Sequence, residues 1–201
     1  MKYNGPKVRL SRQLGIALTP KAAKYMDKKS YPPGQHGPAK RANAKMSDYK
    51  RQLLEKQRLR AQYNISEKQM LNYYKKAAAK SGNTSDNLIR LLESRLDAVV
   101  MRGGLARTIY ASRQWVSHGH ILVNGKPVNI PSFQVKPGDV VTVKERSKKN
   151  TSFQDSVRMA SPPAYLLTSK PDLSVTYSEL PQREEVPVTC EMSLVVEYYS
   201  R

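Results

Sequence analysis

The chain has 201 residues, with 35 lysines and arginines against 16 aspartates and glutamates, a formal net charge of +19 and a pI near 10.0. Such an imbalance weakens a compact fold by self-repulsion unless a polyanion neutralises it, so the expected partner is nucleic acid or an anionic membrane surface. No apolar run approaches the roughly 18–20 residues that span a bilayer, and the opening residues lack the apolar stretch of a secretory signal. One cysteine and three histidines supply neither an internal disulfide nor a usual zinc set. The composition therefore predicts a soluble, intracellular, nucleic-acid-binding protein with no membrane association, no metal and no cofactor.

The charge is unevenly spread. Residues 1–90 hold 21 basic and 5 acidic side chains, residues 91–150 hold 10 and 4, and residues 151–201 hold 4 and 7. The polyanion-facing part is expected in the N-terminal half and the middle.

Residues 1–44 are rich in proline, glycine and lysine, and Tyr31-Pro32-Pro33-Gly34-Gln35-His36-Gly37-Pro38 cannot be regular helix or central strand. This stretch reads as a basic, looped extension, substantially disordered without RNA because few large apolar residues offset its ordering entropy. Residues 45–93 form a helical domain. Leu53, Leu54, Gln57 and Ala61, then Met70, Leu71, Tyr74 and Ala78, recur at helical spacing, with Ser47 as cap of the first helix and the second starting after Ser66-Glu67. A third helix runs from about Ser85.

Residues 94–150 read as a small module. A short helix from Ser94 stops at Gly103-Gly104, and Thr108 caps a second that ends at Gly119. On it Ala111, Ser112, Trp115 and Val116 share one face, leaving Arg113, Gln114 and Ser117 to point elsewhere. Asn124-Gly125 between short apolar runs predicts a hairpin, and Val140–Val143 a third strand. Residues 151–201 are expected to be β-rich, to complete the fold and to do little RNA binding. Leu166-Leu167, Ser174–Tyr177, Val186–Val188 and Leu194–Tyr199 are the candidate strands, and Cys190 reads as an ordinary strand residue rather than a reactive thiol. The fold class is α+β: a basic helical N-terminal domain with an inserted module of two helices on a small antiparallel sheet, and a short β-rich C-terminal segment.

Tyr31–Gly37, Leu92-Glu93-Ser94-Arg95-Leu96-Asp97, the run from Ser112 to Lys126, Val128–Ser132, Val135–Val140 and the closing Val195–Ser200 occur in one order. Together they resemble the bacterial and organellar small-subunit ribosomal protein four family over essentially the whole chain. The resemblance implies a non-enzymatic protein that binds the 5′ domain of small-subunit ribosomal RNA early in assembly and nucleates the particle. It further implies a place where messenger RNA (mRNA) enters the subunit, beside neighbouring small-subunit proteins three and five, an effect on decoding accuracy, and repression of its own operon as a candidate role. The implied location is the bacterial cytoplasm ahead of an organelle. Two departures stand out. Many members hold four cysteines around zinc in the N-terminal segment, whereas Val8–Tyr31 has none here and matches the zinc-free branch. Family members also commonly carry arginine where this chain has Ile109.

Phosphate contacts alone give affinity without choice. A protein making ~6–10 of them loses on the order of 10³–10⁵ in affinity between about 50 and 200 mM salt, so retention needs contacts that read RNA shape. Arg12, Arg41, Lys50, Arg51, Arg58, Arg107, Arg113 and Lys126 are the candidate phosphate ligands. Tyr31, Gln35, His36, Gln114, His118 and His120 are candidates to hydrogen-bond or stack. His118 and His120 flank Gly119 at a helix end and could instead cap its carbonyls. Arg95 and Asp97 read as a structural pair, and Tyr73-Tyr74 as packing. Two rivals share the same small module. A pseudouridine synthase needs a catalytic domain for which too few residues remain, and a ribosome-associated stress protein lacks the Pro-Pro-Gly-Gln-His-Gly loop.

Overall fold

The structure is a computed structural model that describes residues 3–39 and 46–200. The chain divides into two compact units, one of Met1–Lys75 with Val188–Arg201 and the other of Lys76–Pro187.

The first unit begins with two helices where a loop was expected. Helix α1 (Lys7–Leu14) follows Pro6 and closes on Gly15 in the left-handed region. Helix α2 (Pro20–Lys28) has proline at its first position and Thr19 ahead of it, whose hydroxyl accepts the Ala22 N–H at 3.1 Å. Both prolines sit at helix starts, where a missing N–H costs no intrahelical bond; composition alone reads them as breakers. Leu14, Ile16 and Ala22 are buried and give these helices an apolar face. Tyr31–Pro38 remains irregular, as the sequence predicts. Helix α3 (Asp48–Gln62) is capped by Ser47, and α4 (Glu67–Ala78) follows Ser66, both as predicted.

In the second unit, α5 (Thr84–Glu93), α6 (Leu96–Arg102) and α7 (Ile109–Ser117) precede the sheet, and Thr108 caps α7 by accepting the Ala111 N–H at 3.2 Å. The strands are β1 (Ile121–Val123), β2 (Lys126–Pro127) and β3 (Val140–Val143), then β4 (Leu166–Ser169) and β5 (Ser174–Tyr177). They form one antiparallel sheet in the order β2-β1-β3-β5-β4. The turn between β1 and β2 has Asn124 at φ 50° and Gly125 at φ 76°, the paired positive angles of a two-residue hairpin turn that matches strand twist. Ile121, Val123, Val141, Val143, Val175 and Tyr177 are buried, so alternate residues of the three central strands cover the helices.

The stretch from 145 onward is more helical than its residues suggest. Helices α8 (Glu145–Lys148) and α9 (Thr151–Arg158) lie between β3 and β4. Val186–Val188 forms no strand, and Leu194–Tyr199 belongs to helix α10 (Met192–Ser200) in the first unit. The β-branched pair Val195-Val196 favours extended structure locally, but Met192 and Val195 are buried at helical spacing. Three polar ties fix α10: the Gln52 amide donates to Glu197 at 2.9 Å, the Glu191 N–H to Glu55 at 3.0 Å, and the Tyr199 hydroxyl to Glu67 at 2.7 Å. Tertiary packing overrode propensity there. Cys190 lies half-buried in the turn before α10, outside any strand.

Candidate nucleic-acid interface

In the first unit the sequence candidates separate into struts and exposed groups. Arg12, in the last turn of α1, donates to the Tyr31 carbonyl oxygen at 2.9 and 3.1 Å and to that of Pro32 at 3.3 Å. Its guanidinium also lies 4.8 Å from the centre of the Tyr31 ring. These two residues, 19 apart in sequence, fasten the proline-rich loop to α1. The loop closes tightly at Gly37, where a Cβ would meet the Pro32 carbonyl oxygen at 1.9 Å and only glycine fits. Gln35 and His36 are exposed at its tip. Preorganisation of this kind lets polar groups meet RNA without a further ordering cost.

Lys50 and Arg51 are exposed on the first turn of α3; Arg51 lies 3.8 Å from the exposed Asp48, a pairing weak enough to yield to phosphate. Arg58 is largely committed internally, its Nε donating to the Leu14 carbonyl oxygen at 2.8 Å and Nη1 to Glu55. Arg41 lies outside the described residues.

In the second unit Arg107, Gln114, His118 and Lys126 are exposed. Gln114 and His118 lie one turn apart at the end of α7, where the His118 N–H donates to the Gln114 carbonyl oxygen at 2.9 Å. Arg107 is only 3.9 Å from the half-exposed Asp155. His120 is half-buried, with Nδ1 2.8 Å from the Ser147 hydroxyl and its ring edge-on to Trp115. The rings of His118 and His120 are 6.2 Å apart.

Arg113 does not point outward as the helix pattern predicts. Its side chain is 10 % exposed and donates to Asp97 Oδ2 at 3.1 Å, beside Arg95, which holds the same carboxylate through both oxygens at 2.9 and 2.7 Å. Ser112 donates to the Asp97 backbone oxygen. Burial pushes the Asp97 carboxyl up, while the two guanidiniums pull against it. A helical wheel cannot reveal this, because the buried carboxylate that draws Arg113 inward comes from α6. Ile109 is buried at the start of α7, which leaves its side chain no surface for an RNA contact.

Sequence reasoning missed one set of groups. On α2, Lys21, Lys24, Tyr25 and Lys28 are all exposed, and their spacing of three, four and seven puts them on one helical face. The signal was present as periodic lysines, hidden because the segment read as loop.

Fold and surface thus define an α+β RNA-binding protein: a basic helical unit into which a small module of helices on an antiparallel sheet is inserted. Residues 2–93 match the ribosomal protein S4/S9 N-terminal domain and residues 94–141 the S4 domain. The chain is 51% identical to the small ribosomal subunit protein uS4 of Streptomyces avermitilis over 98% of its own length and 97% of that protein's. It is 54% identical to that of Micrococcus luteus (96% and 95%) and 44% identical to that of Chlorobium limicola (100% and 99%). The chain belongs to the ribosomal protein S4 (uS4) family, and it is not an enzyme. That membership removes the pseudouridine synthase reading.

Proposed function

We propose that this protein is a structural constituent of the small ribosomal subunit that binds the 5′ domain of its ribosomal RNA and nucleates assembly. The observation that carries the proposal is the fastened loop of residues 31–37. A loop held by Arg12 and closed by Gly37, with Gln35 and His36 exposed, offers fixed hydrogen-bonding groups to one RNA shape, whereas the lysine face of α2 offers charge to any. Shape reading is what a primary binder needs in a cell full of competing RNA. Family membership supports the rest of the reading: contact with subunit proteins three and five and with mRNA where it enters, an influence on accuracy, and autogenous repression as a secondary role. The relatives compared are bacterial, which favours a bacterial cytoplasmic ribosome. Candidate RNA contacts in this reading are Gln35, His36, Lys50, Arg51, Arg107, Gln114, His118 and Lys126, with Lys21, Lys24 and Lys28 added; Arg12, Tyr31, Arg58, Arg113 and His120 act mainly by holding the surface in shape.

Titrating salt against a complex with a 5′-domain RNA fragment, alongside a scrambled RNA of equal length, tests this. The native fragment is expected to stay bound at salt that releases the scramble. Release of both along one slope would leave only a nonspecific polycation.

A further inference from the structure

The C-terminal stretch is acidic overall, yet it contributes to a basic cleft. Residues 151–201 hold only four cationic side chains, and two of them, Arg158 and Lys170, line the same cleft of about 370 Å³ in the second unit, joined by Lys148. The floor is apolar: Val157 and Leu173 are buried. Arg158, Lys170 and Gln154 are exposed around it.

The carboxylates nearby are mostly engaged elsewhere. Lys148 is paired with Glu145, Asp155 faces Arg107, and Asp172 accepts the Ser169 hydroxyl at 2.6 Å. Among the described residues Arg158 and Lys170 form no ion pair, so both exposed cations line the cleft without a direct carboxylate partner.

The turn that presents Lys170 is also held in an unusual shape. Between β4 and β5, Pro171 fixes one backbone angle and Leu173 adopts φ 51°, a left-handed conformation that a residue with a side chain keeps only where the surroundings enforce it. Burial of the Leu173 side chain and the bond from the Val143 N–H to its carbonyl oxygen, 3.2 Å, enforce it here.

We propose that this cleft, lined by Lys148, Arg158 and Lys170 with Gln154 at its rim, binds a backbone phosphate of RNA. A half-open cleft of this volume that gathers Lys148, Arg158 and Lys170 in one lining suits a single compact anion such as a backbone phosphate. Arginine supplies directed donors to phosphate oxygens and lysine a point charge. The inference rests on the ribosomal RNA reading above and places one contact in the segment expected to contribute least.

The test compares the double variant Arg158→Gln/Lys170→Gln with Lys144→Gln/Lys149→Gln, which removes two exposed lysines of the same unit that do not line the cleft. Both bind the 5′-domain fragment over a salt series, with thermal melting to confirm folding. The cleft variant is expected to lose affinity beyond the control, with the slope of log K against log salt shallower by about 0.7–0.9 for the lost phosphate, and Arg158→Lys/Lys170→Arg to recover most of it. Equal losses in the two double variants would mean diffuse charge and overturn the site. So would unchanged RNA binding, including the case in which the cleft instead takes an acidic protein. If the wild-type protein fails to prefer the native fragment over the scramble, the parent reading fails, a result separate from any difference between variants.

Discussion

The guanidinium of Arg12 lies on the ring of Tyr31, 4.8 Å from its centre, while donating to the carbonyl oxygen of the same residue. A side chain that sequence reasoning assigned to phosphate instead sets the shape of a loop. Arg12→Ala is expected to free the loop, raise hydrogen exchange at the Gly37 amide, which donates to the Gly34 carbonyl oxygen at 3.1 Å, and weaken 5′-domain RNA binding. Arg12→Lys should recover little, since an ammonium lacks the planar fork. Gly37→Ala, whose methyl would collide with the Pro32 carbonyl, should reproduce the binding loss. Full affinity in both Arg12→Ala and Gly37→Ala would show that the loop is no reader.

Arg113 and Gln114 are adjacent on α7 and should separate cleanly. Arg113→Ala leaves the buried Asp97 carboxylate paired with Arg95 alone, and losing one hydrogen bond to a charged group costs about 1.5–3 kcal/mol. Chemical denaturation should show that loss. Gln114→Ala, at an exposed position, should melt within about 0.5 kcal/mol of wild type while lowering RNA affinity. The reverse pattern would return Arg113 to the interface.

The lysine face of α2 makes a salt-dependence prediction. Replacing Lys21, Lys24 and Lys28 by glutamine should make the slope of log K against log salt shallower by about two. Stability should hold or rise, because self-repulsion falls. An unchanged slope would place α2 away from RNA.

Acid should undock α10. Burial raises the Glu67 carboxyl, but the Tyr199 hydroxyl, the Lys56 ammonium and Arg60 together outweigh it and hold the group below its ordinary value of 4.5. A carboxylate depressed in the folded state adds stability above its unfolded pKa and loses it as pH falls through the folded value. The first unit should therefore weaken below about pH 4.5, and Glu67→Gln should flatten that acid limb in far-ultraviolet circular dichroism. Tyr199→Phe should cost about 0.5–1.5 kcal/mol at neutral pH. An acid limb identical in wild type and Glu67→Gln would remove this pair from the account.

Much of the architecture follows from local signals. Ser47 and Thr108 announced helix starts by side-chain chemistry, Asn124-Gly125 announced a hairpin by its tolerance of positive φ, and the net charge of +19 announced a polyanion. Each depends on residues within a few positions of one another. The exposed candidates Gln114, His118 and Lys126 were legible for the same reason, as was the loop of residues 31–38, whose prolines forbid regular structure.

What tertiary structure alone decided involves partners far apart in the chain. Arg113 turns inward because Asp97, sixteen residues earlier, is buried beside it. Val195-Val196 is helical because α10 returns to helix α3, and Arg158 of α9 and Lys170 of the turn between β4 and β5 line one cleft. Sequence determined composition, charge, caps and turns, since these act through nearest neighbours. Packing determined which cations face solvent and which hold the protein together, since burial of a charge depends on the partner that long-range folding brings to it.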